Sequence, residues 1–196
     1  MALTLADRSF RELLSAFAAA EPTPGGGSAC AAASAMAVAL LAKAALVAGL
    51  PHHTLAGIDT QLAGAIDEDA MAYGEVMTAR RQPRDTEEDR ALRAAAMQRA
   101  LRHATDVPLT IMRLSAEALD EAHTLASRIH RSTMADAFVA VVLLRASFDG
   151  ARATVHANLG GLTNAEDAAT IRDESTRLSE RATVASGEAE RLLRLG

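Results

Sequence analysis

Tryptophan is absent, and aromatic residues make up only 3% of the 196 positions. A core without large rings must be filled by small and branched aliphatic side chains. Hydrophobic residues reach 49%, enough to build one. Much of that share is alanine, the best helix former, whose small side chain lets helices approach closely. The near lack of stacking rings, a net charge of −5 and the want of a basic block argue against nucleic-acid binding. Cys30 is the one cysteine, so no internal disulfide can form, which fits a reducing, cytoplasmic setting. No strand-like alternation, internal linker or repeat is visible, and no HExxH or similar spacing suggests a metal site.

What is present reads as helices. The length favours one domain, 1–196. A first helix is expected over 5–20, with Phe10, Leu13, Leu14 and Phe17 on one face. The charges Asp7, Arg8, Arg11 and Glu12 make the N-terminus an amphipathic helix rather than a signal peptide. Pro22 and Pro24 end it, three glycines follow, and Ser28 is a suitable N-cap for a second helix running to about Val47. Residues 29–50 carry one charge, Lys43, and read as a buried helix, with a membrane span as the alternative. A third helix is expected from about Thr54 to Arg81, closed by Pro83. A fourth is capped by Asp85 or Thr86, kinked or restarted at Pro108, and continues to about His130. Ser132 or Thr133 starts a fifth helix, apolar almost all round from Met134 to Leu144 and ending within 157–164. A sixth occupies roughly 165–194. The sum is an all-α, antiparallel up-down bundle of long helices.

Several groups could carry chemistry. EPTPGGGS at 21–28 feeds a helix N-terminus, where unpaired N–H groups and the positive dipole end can receive an anion or carbonyl oxygen. No Lys-Ser/Thr pair or preceding strand makes it a phosphate loop, and a flexible connection is the simpler alternative. Asp69 falls on the apolar stripe Ile58, Leu62, Ile66, Tyr73, Val76. A carboxylate there holds a cation, moves a proton, or makes a structural contact to Tyr73 or an arginine. Asp136 is spaced from Thr133 like a capping pair. Lys43 shares a side with Met36, Leu40 and Val47, and either pairs with an aspartate or extends to water. His52 and His53 form a Pro-His-His turn, solvated or bordering a pocket. Asn158 precedes Gly160 and Gly161 and suits helix termination.

Together, PTPGGGSACAAASAMAVAL, DEDAMAYGEVM at 67–77, TEEDRALRAAAMQRALRHATDVPLTIM at 86–112 and ADAFVAVVLLRASFDGARATVHANLGGL at 135–162 resemble the cyclodeaminase/cyclohydrolase family over nearly the whole chain. That family includes the cyclodeaminase domain of formiminotransferase-cyclodeaminase and methenyltetrahydrofolate cyclohydrolases. The resemblance implies a helical homodimer acting on the one-carbon unit between N5 and N10 of tetrahydrofolate, with no metal or redox cofactor. It implies catalytic roles for Asp69 and Asp136; Lys43 is a further catalytic candidate from its place in the second helix. The candidate substrate-binding residues are Pro24, Gly25, Gly26, Gly27, Ser28, Tyr73 and Asn158, with His52 and His53 added from the turn after the second helix.

The chain departs from the family pattern after the second helix. LVAGLPHHTLAG stands where an asparagine, a lysine cluster and a tyrosine are usual, with Leu46 at the asparagine position. Thr154 replaces a second family asparagine, and of Asn-x-x-Ser-Asp only Asp136 remains. Lys43 or the histidine pair could take over from the lost lysines. The alternatives are a repurposed enzyme for another small nitrogen-containing molecule and a non-catalytic helical assembly protein.

Overall fold

The computed structural model describes residues 4–195, and the outermost residues of the 1–196 span lie outside it. The described residues contain no strand. They form α1 (Phe10–Phe17), α2 (Gly26–Val47), α3 (His53–Arg81), α4 (Glu87–Ala126), a 3-10 turn (Arg131–Thr133), α5 (Met134–Leu159) and α6 (Ala165–Leu195). Helices α2, α3, α4 and α5 alternate in direction and pack as a ring, each against its two neighbours, with α2 and α4 meeting across the centre. Helix α6 lies outside that ring, along α4 and α5. This is the up-down bundle expected.

Small side chains set the spacing. Ala31, Ala37, Ala44, Ala45, Ala118, Ala137, Ala140 and Ala151 are buried, and Phe148 is the one fully buried ring. Across the centre Ser34 and Ser115 join hydroxyl to hydroxyl at 2.9 Å, each satisfying the other where water cannot reach. Helix α2 is long and apolar enough to cross a membrane. Here it is a bundle helix with nine buried residues, packed on α3, α4 and α5. Ion pairs Arg113–Glu174 and Arg181–Asp120 tie α6 to α4 at the surface.

Three local expectations need correction. The first helix is only Phe10–Phe17. Ser9 and Glu12 form a capping box that starts it there, and the N–H groups of Leu5 and Ala6 turn instead to Asp67 of α3. None of its residues is buried. The second helix begins at Gly26 with Gly25 as N-cap, so Ser28 is its third residue rather than its cap. The fourth runs unbroken through Pro108 and ends at Ala126, capped by Thr86 with Asp89 returning the bond.

Pro108 has no N–H, so the carbonyl of Ala104, four residues earlier, loses its helical donor. Asn158 of α5 supplies one: its side-chain amide donates to the Ala104 oxygen at 2.7 Å. Asn158 therefore does not terminate its own helix, which closes at Gly160. It repairs the neighbouring one.

Candidate active site

The turn before α2, the middle of α3, one face of α4 and the end of α5 enclose a cleft of about 340 Å³. Gly25, Gly26, Gly27, Asp69, Tyr73 and Asn158 all line it. Six expected site residues, spread over more than 130 positions of sequence, thus share one concavity. Leu101 and Val76 supply apolar wall. Thr154, at the altered asparagine position, also faces it, with its hydroxyl donated to the Gly150 carbonyl.

Asp69 organises the site. Its Oδ2 accepts from both the backbone N–H and the hydroxyl of Ser28, each at 2.8 Å. The carboxylate of α3 thus does for α2 what an N-cap side chain would do, and its charge faces the positive end of the α2 dipole. Its contact is to Ser28, neither to Tyr73 nor to an arginine. Oδ1 makes no hydrogen bond among the described residues.

This arrangement explains one glycine in particular. A Cβ on Gly27 would sit 2.6 Å from the Asp69 carboxyl carbon and closer still to Oδ1. A Cβ on Gly26 would meet nothing within 4 Å. Gly27 is required so that the carboxylate can reach the helix end. The N–H of Ser28 is taken by Asp69 and that of Ala29 by the Gly25 carbonyl. Those of Gly26 and Gly27, which border the cleft, have no protein acceptor among the described residues. The cleft therefore offers an open carboxylate oxygen opposite two open backbone donors.

Cys30 lies beside this centre. Burial, and secondarily the Asp69 charge, push its thiol up, so it stays protonated. Pro24 and Ser28 are buried behind the cleft lining, Ser28 completely.

The remaining candidates are elsewhere in the chain. Lys43 donates to Asp136 at 2.7 Å. This replaces the capping role considered for Asp136: Thr133 caps α5 through its backbone alone, and its hydroxyl goes to His130. Lys43 is 17 residues along α2 from Gly26, about 25 Å at 1.5 Å per residue. His52, the N-cap of α3, and His53 are at that same far end. Within one chain none of these four reaches the cleft. Among the described residues, no group of three or more His, Cys, Asp or Glu is arranged to hold a metal.

A family model described as formiminotransferase-cyclodeaminase matches residues 51–177. Methenyltetrahydrofolate cyclohydrolase of Methylorubrum extorquens is 33% identical over 169 residues, which are 80% of this chain and 81% of that protein. Formimidoyltransferase-cyclodeaminase of Mus musculus is 29% identical over 82% of this chain, which spans about a third (32%) of that longer protein. The crystal structure of a formiminotetrahydrofolate cyclodeaminase from Thermotoga maritima superposes with a TM-score of 0.86 at 21% identity, covering 95% of this chain and 96% of that one.

Proposed function

The chain belongs to the formiminotransferase-cyclodeaminase family, and on that premise we propose that it is a folate one-carbon enzyme hydrolysing 5,10-methenyltetrahydrofolate to 10-formyltetrahydrofolate. The observation that carries this is the meeting of the free Asp69 Oδ1 with the open N–H groups of Gly26 and Gly27 in one cleft. The substrate carries a delocalised cation on the carbon between N5 and N10. A carboxylate in a half-apolar cleft favours that charge, and more strongly than it would in water. Water bound to Oδ1 attacks the carbon and gives its proton to Asp69. As the C–N5 bond breaks, Asp69 returns that proton to N5. The new hydroxyl releases its own proton to solvent and becomes the formyl oxygen. The N–H groups at the start of α2 are suited to hold that oxygen while charge builds on it.

The hydrolysis moves no electrons, so the reaction calls for no redox cofactor, and the substrate is electrophilic without a metal. The cyclodeaminase reaction is the second reading, favoured by the names of the longer relatives. It closes 5-formimino-tetrahydrofolate to the same methenyl cation with loss of ammonia, and the same carboxylate faces the same carbon. Following the loss of methenyl absorbance with purified protein, against spontaneous hydrolysis, tests the first reading. Ammonia release from the formimino compound tests the second.

A cytoplasmic homodimer completes the proposal. Met36, Leu46 and Val47 on α2 and Val139 and Val142 on α5 are 45–63% exposed on adjoining helices. The Lys43–Asp136 pair on the same two helices neutralises its own charges. An apolar face of this kind suits burial against a second copy. The lone cysteine suits a reducing compartment.

A further inference from the structure

Asn158 and Ala104, joined by the 2.7 Å bond from side-chain nitrogen to carbonyl oxygen, both line the cleft. Only a donor satisfies that oxygen. Turning the amide over would set its own oxygen against the carbonyl, acceptor to acceptor. Pro108 withholds the helical N–H that would otherwise fill the place. It therefore decides which way the Asn158 amide faces. Pro108 is itself buried in α4 and is no part of the cleft lining.

The other half of the amide is open. Oδ1 of Asn158 accepts from no protein donor among the described residues. Thr154, one turn back on the same face of α5, has spent its hydroxyl hydrogen on the Gly150 carbonyl. The cleft thus holds three kinds of open group: the charged Oδ1 of Asp69, the N–H donors of Gly26 and Gly27, and one neutral acceptor of fixed orientation. In a regular α4 the amide could turn and offer either atom. Locked by the proline, it takes an N–H and refuses a lone pair.

We infer that Pro108 is a positioning residue for the reaction: acting through Asn158, it holds Oδ1 ready to accept an N–H of the substrate's fused ring. The pyrimidine half of that ring carries N–H groups away from the reacting carbon, so the bond bears on binding rather than on the chemical step. The inference rests on the folate reading above, and its test separates the two. Pro108→Ala gives the Ala104 carbonyl its helical N–H and releases the amide. Its melting temperature equals or exceeds that of the wild type, since a proline leaves the helix interior. Its KM for methenyltetrahydrofolate nonetheless rises about threefold to tenfold, the cost of ordering one released side chain, while kcat holds. A purely structural role for Pro108 predicts an unchanged KM. Pro108→Ser, which also supplies the N–H, repeats the result. Asn158→Ala raises KM at least as much in the wild-type background and adds less than about twofold in Pro108→Ala. Side-chain amide exchange followed by NMR reads the lock without turnover: one Asn158 amide hydrogen is protected in the wild type and neither is in Pro108→Ala. Equal KM for the wild type and both Pro108 variants, or equally labile amide hydrogens, overturns the inference. If the wild type still hydrolyses the substrate, the folate reading survives that result. A wild type that neither binds nor hydrolyses methenyltetrahydrofolate removes the folate reading and the inference together.

Discussion

Replacing Gly27 with alanine tests how the site is built. The added Cβ would lie 2.6 Å from the Asp69 carboxyl carbon, well inside contact distance, so the carboxylate has to withdraw. Withdrawal breaks both 2.8 Å bonds to Ser28 and leaves the buried hydroxyl and N–H without an acceptor. Hydrogen bonds to a charged group contribute about 1.5–3 kcal/mol each. Asp69 is half-buried, so the low end applies, roughly 3 kcal/mol for the pair. Alanine recovers about 0.5–1 kcal/mol in helix propensity, for a net loss of about 2 kcal/mol. In a chain of this size that lowers the melting temperature by about 4–8 °C. Gly26→Ala is the control: its Cβ meets nothing, so only the propensity gain remains and the melting temperature rises slightly. Calorimetric melting of the two variants beside the wild type decides it. Equal melting temperatures for the Gly26 and Gly27 variants would refute the claim that Asp69 is seated against the α2 backbone.

Asn158→Ala leaves the Ala104 carbonyl without a donor and costs about 1–3 kcal/mol, while in a Pro108→Ala background, where residue 108 regains its N–H, the same change costs less; a double-mutant cycle by urea unfolding reads the coupling, and strict additivity contradicts it. His103 donates to Glu75 at 2.8 Å and to Glu68 at 3.5 Å, and the Glu75 bond above all holds its imidazole above the usual range against partial burial. A raised value means the stabilisation is full below about pH 6.5 and fades as pH rises through the raised value. His103→Gln therefore loses about 0.5 kcal/mol at pH 6 and nothing at pH 9, and a loss independent of pH contradicts the assignment. Val139→Glu, in the exposed α2–α5 face, converts a dimer to a monomer by light scattering; a wild type that is already monomeric at micromolar concentration removes the proposed dimer.

Long periodic elements were legible in the sequence. The α3 stripe placed Asp69, Tyr73 and Val76 on one face, and that face opens into the cleft. The glycine turn was legible as a helix entry, but its cap was not. Ser28 has the side chain of an N-cap, yet the acceptor for its N–H comes from a residue 41 positions later. The same holds for Lys43 and Asp136, 93 positions apart, whose pairing depends on α2 and α5 being neighbours in the ring. Asn158 had a sufficient local explanation in the glycines that follow it. Its partner becomes visible only when the proline of another helix is set beside it. The short α1 was within reach: Ser9 and Glu12 have capping-box spacing, and that signal marks the start better than the apolar face does.

The central claim is that Asp69 acts on the substrate from the end of α2. Asp69→Asn tests it most directly, because the amide oxygen can still accept from Ser28 while the charge and the proton acceptor are lost. Melting within about 2 °C of the wild type checks the fold. The account predicts that methenyltetrahydrofolate hydrolysis by this variant falls at least about 100-fold, to near the spontaneous rate. A variant that folds and hydrolyses the substrate at the wild-type rate would contradict it.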